Sequence, residues 1–311
     1  MTQTQAAALA APRPQHRFKR FLRRNATGYI FLAPFLILLF IFVVVPVGVS
    51  VVLSFTNYNM LQPPKFVGLE NYMSLILNDD VFLIALKNTF VFALFIGPIG
   101  YFMSFLMAWI LDTMKARNLF SIAFYAPSIT SAVAMTVVWL YFFSPDRYGM
   151  VNNALTELGL ITEPILWNAD PRYIMPVVVL ISVWMSMGNG FLVFLAGLQN
   201  LPDEVFEQAR IDGVGSRFQE LFYMTLPMMK PQLLFGAINA IVASFSVFDI
   251  AVQFAGMPSP NYAAHTLVAH LFDHAFIRFE MGYASAVSVV LFLITFSLGK
   301  LCTFLLRSDD E

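Results

Sequence analysis

The chain has 311 residues, of which 59% are hydrophobic and only 12% charged, and its mean hydropathy is +0.71. Soluble domains average about 45–50% apolar and about 25% charged residues, so the composition excludes an ordinary water-soluble domain and points to a chain solvated by lipid. A net charge of −1 implies no general affinity for nucleic acid or other polyanions, and the single Cys302 excludes an internal disulfide or a multi-cysteine metal site.

In chain order, residues 1–27 form a basic tail. Its first 16 residues read as a tether, and the cluster at 17–24 as a topology signal, with a helix on the anionic membrane surface as the alternative. Six stretches poor in Asp, Glu, Lys and Arg follow, each long enough for the ~20 residues that cross ~30 Å of hydrocarbon. They predict an all-α membrane protein with helices over 28–54, 87–111, 119–143, 173–197, 232–254 and 282–306. The first is too long for a cleaved signal and lacks a clear cleavage pattern. Residues 307–311 form a short tail. Prolines inside the spans, such as Pro127 beside Ser128, Thr130 and Ser131, predict kinks.

The basic residues orient the chain. With both termini in the cytoplasm, thirteen of the 18 Lys and Arg lie inside, and only Lys65, Lys87, Arg147, Arg172 and Arg278 lie outside. Acidic residues divide evenly, so the asymmetry is the one the positive-inside rule describes.

Between the fourth and fifth spans, the segment 200–231 is a charged island that cannot lie in lipid. Pro202, Asp203 and Glu204 suit a first helical turn. Gly213 suits the position just past a helix end, and Ser216 with Gln219 reads as a capping box opening a second short helix. A helix-turn-helix held at the membrane surface is a docking element.

The spacing Glu207-Gln208-Ala209-Arg210-Ile211-Asp212-Gly213, then Leu226-Pro227, then Pro231, resembles the cytoplasmic coupling loop of binding-protein-dependent ABC importer permeases. Gln208 and Val214 stand where that family usually has Ala. Further stretches resemble the carbohydrate-uptake branch: Phe66-Val67-Gly68-Leu69-Glu70-Asn71-Tyr72, Leu86-Lys87-Asn88-Thr89, Phe194-Leu195-Ala196-Gly197-Leu198-Gln199 and Met281-Gly282-Tyr283-Ala284-Ser285-Ala286. The resemblance covers roughly residues 28–306. Ala255-Gly256-Met257-Pro258 departs from the pattern, which implies an unusual loop after the fifth span.

The resemblance implies a type I importer permease domain over 28–306, in a prokaryotic cytoplasmic membrane. Its implied partners are a second permease subunit, in this branch usually a different chain, two ATP-binding subunits, an extracytoplasmic solute-binding protein, membrane lipid and a sugar or related solute such as glycerol phosphate. ATP and Mg are then held by the partner ATPase. This chain has no phosphate-binding loop, no H-E-x-x-H and no nucleophile elbow, so it carries no cofactor and is not itself an enzyme. The implied coupling residues are Glu207, Ala209, Asp212, Gly213, Leu226 and Pro227. Glu207 would meet a basic residue of the ATPase, and Ala209 would keep the helix slim where it packs.

Asp249 falls in the middle of the fifth predicted span, where a charge costs roughly 2.5–3.5 kcal/mol. Phe245, Ser246 and Gln253 share its helical stripe, and Ser182, Ser186 and Asn189 form a comparable stripe on the fourth span, with Gly188 and Gly190 beside Asn189. Asn189, Phe245, Ser246, Asp249 and Gln253 therefore form a predicted solute path. The same groups also suit hydrogen bonding between helices. An ion-driven transporter or channel using Asp249 as its coupling carboxylate is the rival reading, and a membrane enzyme a weaker one. All four histidines lie outside the predicted spans. His270 and His274, four apart with Asp273 adjacent, have metal-pair spacing, but a solvated surface helix is the simpler expectation and no metal is assigned.

Overall fold

The computed structural model describes residues 26–115 and 117–306. The tail with its basic cluster 17–24, the C-terminal residues 307–311 and the side chain of Asn189 lie outside the described residues. Contacts divide the chain into one unit ending at Val52 and a second beginning at Leu53. The first holds most of α1 (Thr27–Leu53), an apolar helix that includes Pro34 and a π turn at Phe40–Val44.

The second unit opens on a small hairpin, β1 (Thr56–Asn57) paired antiparallel with β2 (Lys65–Phe66). Gly68 turns the chain at φ +62°, and α2 (Glu70–Leu77) follows. Asn71 Nδ2 donates to the carbonyls of Ser54 and Thr56 at 2.8 and 2.9 Å, which fastens α2 to the hairpin. The second span, α3 (Asp80–Asp112), starts seven residues before its predicted edge. The charge-free gap marks the lipid, whereas the helix begins at its cap: the Asp79 carboxylate accepts the Phe82 N–H at 2.8 Å.

The third span departs from the predicted single helix over 119–143. It is two helices, α4 (Arg117–Ile129) and α5 (Ala132–Phe142), bent by 99°. Pro127 removes one backbone donor, while Ser128 and Thr130 donate to the Tyr125 and Ala126 carbonyls at 2.8 Å each. Side chains thus take acceptors that the helix would have used, and Ser131 swings to ψ 129°.

After α5 the chain forms α6 (Met150–Glu157), built around Asn152. This buried side chain donates to the carbonyls of Ser144, Asp146 and Ile165 and accepts from the Ile165 N–H and Trp167 Nε1. Nothing in the local sequence distinguishes it. We expect Asn152→Ala to strand several buried groups and destabilise the chain by on the order of 2–4 kcal/mol. Denaturation in detergent checks this, and a midpoint equal to that of the unaltered chain would contradict it.

The fourth span, α7 (Pro171–Gln199), is capped by Asp170, which accepts the Arg172 N–H at 2.9 Å. Then come α8 (Asp203–Ile211), α9 (Arg217–Glu220), α10 (Lys230–Phe245), α11 (Asp249–Ala255), α12 (Leu267–Phe272) and α13 (Met281–Leu306). In the loop after α11, Gly256 (φ +78°), Asn261 (φ +48°) and Tyr262 (φ +55°) are left-handed and Met257–Pro258 is cis, so the segment that departs from the family pattern has an irregular backbone.

Helix α3 packs along α7, and α10 packs against α3 and α13. Lipid offers little hydrophobic gain for helix association, so close approach at small residues matters more. A Cβ on Gly100 would lie 2.6 Å from Ser186 Oγ, on Gly188 2.4 Å from Ser128 Oγ, and on Gly190 3.0 Å from Ser104 Oγ. Gly188 and Gly190 therefore serve helix contact. Asn88 and Thr89 play the same part at the other end, donating to Tyr262 and His265 carbonyls and accepting the Leu267 N–H respectively. A Cβ on Gly282 would sit 2.0 Å from the Thr56 carbonyl oxygen, so only glycine lets α13 start beside the hairpin.

Candidate functional site

Two features carry the predicted function: a surface helix-turn-helix at one end of α3, and a mainly apolar cavity with a few serines and Asn239 between α3, α7 and α10.

The surface element forms as its local signals require. Helix α8 starts after extended Pro202 with Asp203 and Glu204 in its first turn. Gly213 adopts φ +98° just past the helix end, and the Val214 N–H donates to the Ala209 carbonyl at 3.0 Å. Ser216 and Gln219 make the full capping box that opens α9. Arg210 and Glu220 join the two helices through an ion pair at 2.9 Å. Arg217 donates to the Trp109 carbonyl at 3.2 Å with its guanidinium 4.7 Å from the indole centre, tying the turn to the end of α3.

Glu207 and Asp212 are exposed, and among the described residues neither has an ion pair. Ile211 is 85% exposed and Tyr223 71%, so large apolar side chains stand in the open around Glu207's element. Sequence reasoning had no signal for these two. Ala209 is buried within the chain, so the face it keeps slim is turned to the body of the protein. Leu226 lies half-buried and Pro227 exposed in a short turn ahead of α10. Behind them Met229 is fully buried with Phe191, Phe194 and Leu198 of α7, which packs the turn onto that helix.

The fifth span is also not the predicted continuous helix. It breaks at Ser246–Phe248, between α10 and α11. Phe245 thereby leaves the predicted stripe: it is buried, with its ring edge-on to Phe90 at 5.5 Å. Asp249 is not embedded in a helix middle but stands in the first turn of α11, where the dipole favours negative charge.

Ser246 and Asp249 line a cavity of about 220 Å³ with Ser182 and Ser186. Ser186 and Ser246 also line a neighbouring cavity of about 520 Å³, which adds Gly97, Gly100, Ser104 and Asn239. Gln253 is exposed and borders neither cavity. The structure thus unites Ser246 and Asp249 with the fourth-span serines. Asn239 belongs with them: it lies seven residues before Ser246, on the same face of α10, although the predicted stripe did not extend back to it.

At the opposite end of α3, Asp79 meets His270 and His274. Neither histidine is on a solvated surface, as expected from spacing alone: they are 1% and 5% exposed. The His270 ring is held down to about 4 by burial, and the neighbouring His274 adds to this, so it is neutral near pH 7. Burial raises the Asp79 carboxyl, but donation from Tyr283 and the Phe82 N–H outweighs it and holds the group below its ordinary value.

Comparison with known proteins sets these features in context. Residues 97–307 match the family described as the binding-protein-dependent transport system inner membrane component. The probable ABC transporter permease protein YesP of Bacillus subtilis is 35% identical over 92% of this chain and 94% of its own. The lactose transport system permease protein LacF of Rhizobium radiobacter is 34% identical over 87% and 90%. The arabinooligosaccharides transport system permease protein AraP of B. subtilis is 30% identical over 88% and 86%. The fold is that of a chain from a bacterial ABC transporter involved in alginate import, with a TM-score of 0.80 at 21% identity over 95% of this chain and 100% of that one.

Proposed function

This chain belongs to the binding-protein-dependent ABC permeases, in their carbohydrate-uptake branch, and from that premise we propose how it moves its solute. It is a multi-pass membrane protein that passes a sugar inward, and a solute-binding protein delivers that sugar. Energy comes from two separate ATP-binding subunits, which hold ATP and Mg. The observation that carries this reading is the exposed helix-turn-helix with Glu207 at its face, at the opposite end of α3 from the hairpin.

In the proposed cycle, α8 docks in a groove of the ATPase, with Glu207 against a basic residue and Ile211 against apolar surface. ATP-driven closure of the two ATPases pulls α8, and the capping box and the Arg210–Glu220 pair make α8 and α9 move as one piece. Met229 and the Trp109 contact pass that motion to α7 and α3. The cavity between those helices then opens to the outside, and hydrolysis resets it. A cavity with its few polar groups on one side of the bundle makes half a pathway, so a second permease completes it, a different chain in this reading. The coupling loop faces the cytoplasm, as does the N-terminal tail.

Purification with a non-histidine tag, followed by mass spectrometry and reconstitution in vesicles, tests this directly. The expected result is a complex with a second permease and an ATPase, and sugar uptake only when ATP and binding protein are both present. A lone chain that transports with an ion gradient and no nucleotide would reject it.

Asp249 can be tested directly as a solute contact. Asp249→Asn keeps the size and hydrogen-bonding capacity of the side chain and removes only the charge. If the carboxylate holds a sugar hydroxyl, uptake falls by about tenfold, equivalent to ~1.4 kcal/mol of a charge-assisted hydrogen bond, and ATPase activity persists. Unchanged uptake would leave Asp249 as a helix-start residue only.

A further inference from the structure

From the cluster at the outer end of α3 we infer a divalent transition-metal site, suited to zinc, with Asp79, His270 and His274 as protein ligands. It lies at the far end of the ~50 Å helix from the coupling loop and takes no part in the transport cycle proposed above.

The geometry is that of a ligand set. Asp79 Oδ2 is 3.2 Å from His270 Nε2 and 3.9 Å from His274 Nε2, and one ligand atom from each residue lies within 4.8 Å of the others. Tetrahedral zinc, with bonds of about 2.0–2.2 Å, spaces its ligands roughly 3.3–3.5 Å apart. Rotating the imidazoles inward by about an ångström closes the set on such an ion.

The nitrogens are also short of partners. His270 Nδ1 and Nε2 and His274 Nε2 are buried and, among the described residues, make no hydrogen bond; the Asp79 oxygen near His270 is not aligned for one. A buried polar atom left without a partner is destabilising, and a metal ion engages the two Nε2 atoms at once. Arg278, the nearby cation, does not, because it is engaged by Asp273 at 2.8 Å.

The surrounding groups are those that orient metal ligands. Glu280 Oε2 lies 2.7 Å from His274 Nδ1, a partner for an Nδ1 proton, so that Nε2, which faces Asp79, is the nitrogen available to a metal. Tyr283 donates to Asp79 Oδ2 and the Phe82 N–H to Oδ1, so the carboxylate is fixed while Oδ2 keeps a lone pair. Two imidazoles and one carboxylate favour a zinc-class ion over calcium or magnesium, which take oxygen ligands. The fourth position faces a polar cavity of about 460 Å³ lined by Asn57, Asn71, Asn78 and Glu280, with room for water. Such an ion staples the start of α3 to α12 and, through Tyr283, to α13.

The test uses the full chain, purified without a histidine tag, stripped with chelator and titrated with Co²⁺. We expect one equivalent to give a visible ligand-field band that Zn²⁺ displaces, and Zn²⁺ to raise the denaturation midpoint. His270→Gln and His274→Gln should each weaken binding by at least about a hundredfold, and Glu280→Gln, which leaves the ligands in place, by about 10–100-fold. Absence of a saturable band in the unaltered chain overturns the site without reference to any variant. A band that survives both histidine changes also overturns it, because the ion then sits elsewhere, for example at His16.

Discussion

Glu207→Lys is expected to leave the chain inserted and able to pair with a second permease, yet to cut ATP-driven uptake by about a hundredfold. Glu207 is exposed and makes no ion pair within the described chain, so its replacement disturbs no internal contact. Against a basic groove, charge reversal loses a docking contact and adds repulsion. Such changes cost about 2–5 kcal/mol, and ~2.8 kcal/mol is a hundredfold. Gly213→Asp attacks the same element through the backbone. At φ +98° a side chain with Cβ is strained by about 1–3 kcal/mol, which pulls the Val214–Ala209 hydrogen bond apart and swings α9 off α8. The ATPase then hydrolyses without transport or dissociates. Both variants should be measured for ATPase activity, uptake and subunit content together. Near-normal uptake by both would remove the docking role from α8.

The coupling element was legible because its signals are local. Gly213, the Ser216–Gln219 box and the acidic first turn act within a few residues of themselves, and each formed as read. The longer motifs were legible as resemblance but not as physics. Only the fold shows that Asn88 fastens the loop at Tyr262 and His265, or that Gly282 gives the hairpin carbonyl its space.

What the sequence concealed depends on partners far along the chain or on backbone breaks. Nothing in the apolar pattern marks the bend at Thr130–Ser131, and in the fifth span Asp249 reads as a mid-helix charge although the helix is interrupted just before it, at Ser246–Phe248. A helical-stripe argument therefore joined Phe245 to Asp249 across a break. The histidines illustrate the other limit: spacing of four placed them on one face, but their burial comes from Asp79, His265, Tyr283 and Phe82, brought from elsewhere in the chain.

Blocking the cavity should stop transport while leaving the motor running. The larger cavity, about 520 Å³, lies within the ~300–1,000 Å³ that small-molecule sites occupy. Ser246 stands at its junction with the smaller one. It is exposed, and its hydroxyl donates to the Val242 carbonyl of its own helix at 2.8 Å. Ser246→Ala therefore loses a bond that competes with the helix ladder, and uptake should stay within about twofold. Ser246→Trp points an indole into open space instead of into a packed core. A tryptophan presents some 150–250 Å² of surface, enough to fill the junction, so uptake should fall to background. ATP hydrolysis stimulated by the binding protein should remain, since Trp109, Met229 and the α8–α9 pair are untouched. The contrast between alanine and tryptophan is the informative measurement. A tryptophan variant that still imports sugar at the unaltered rate would show that solute passes elsewhere, on a surface this cavity does not share.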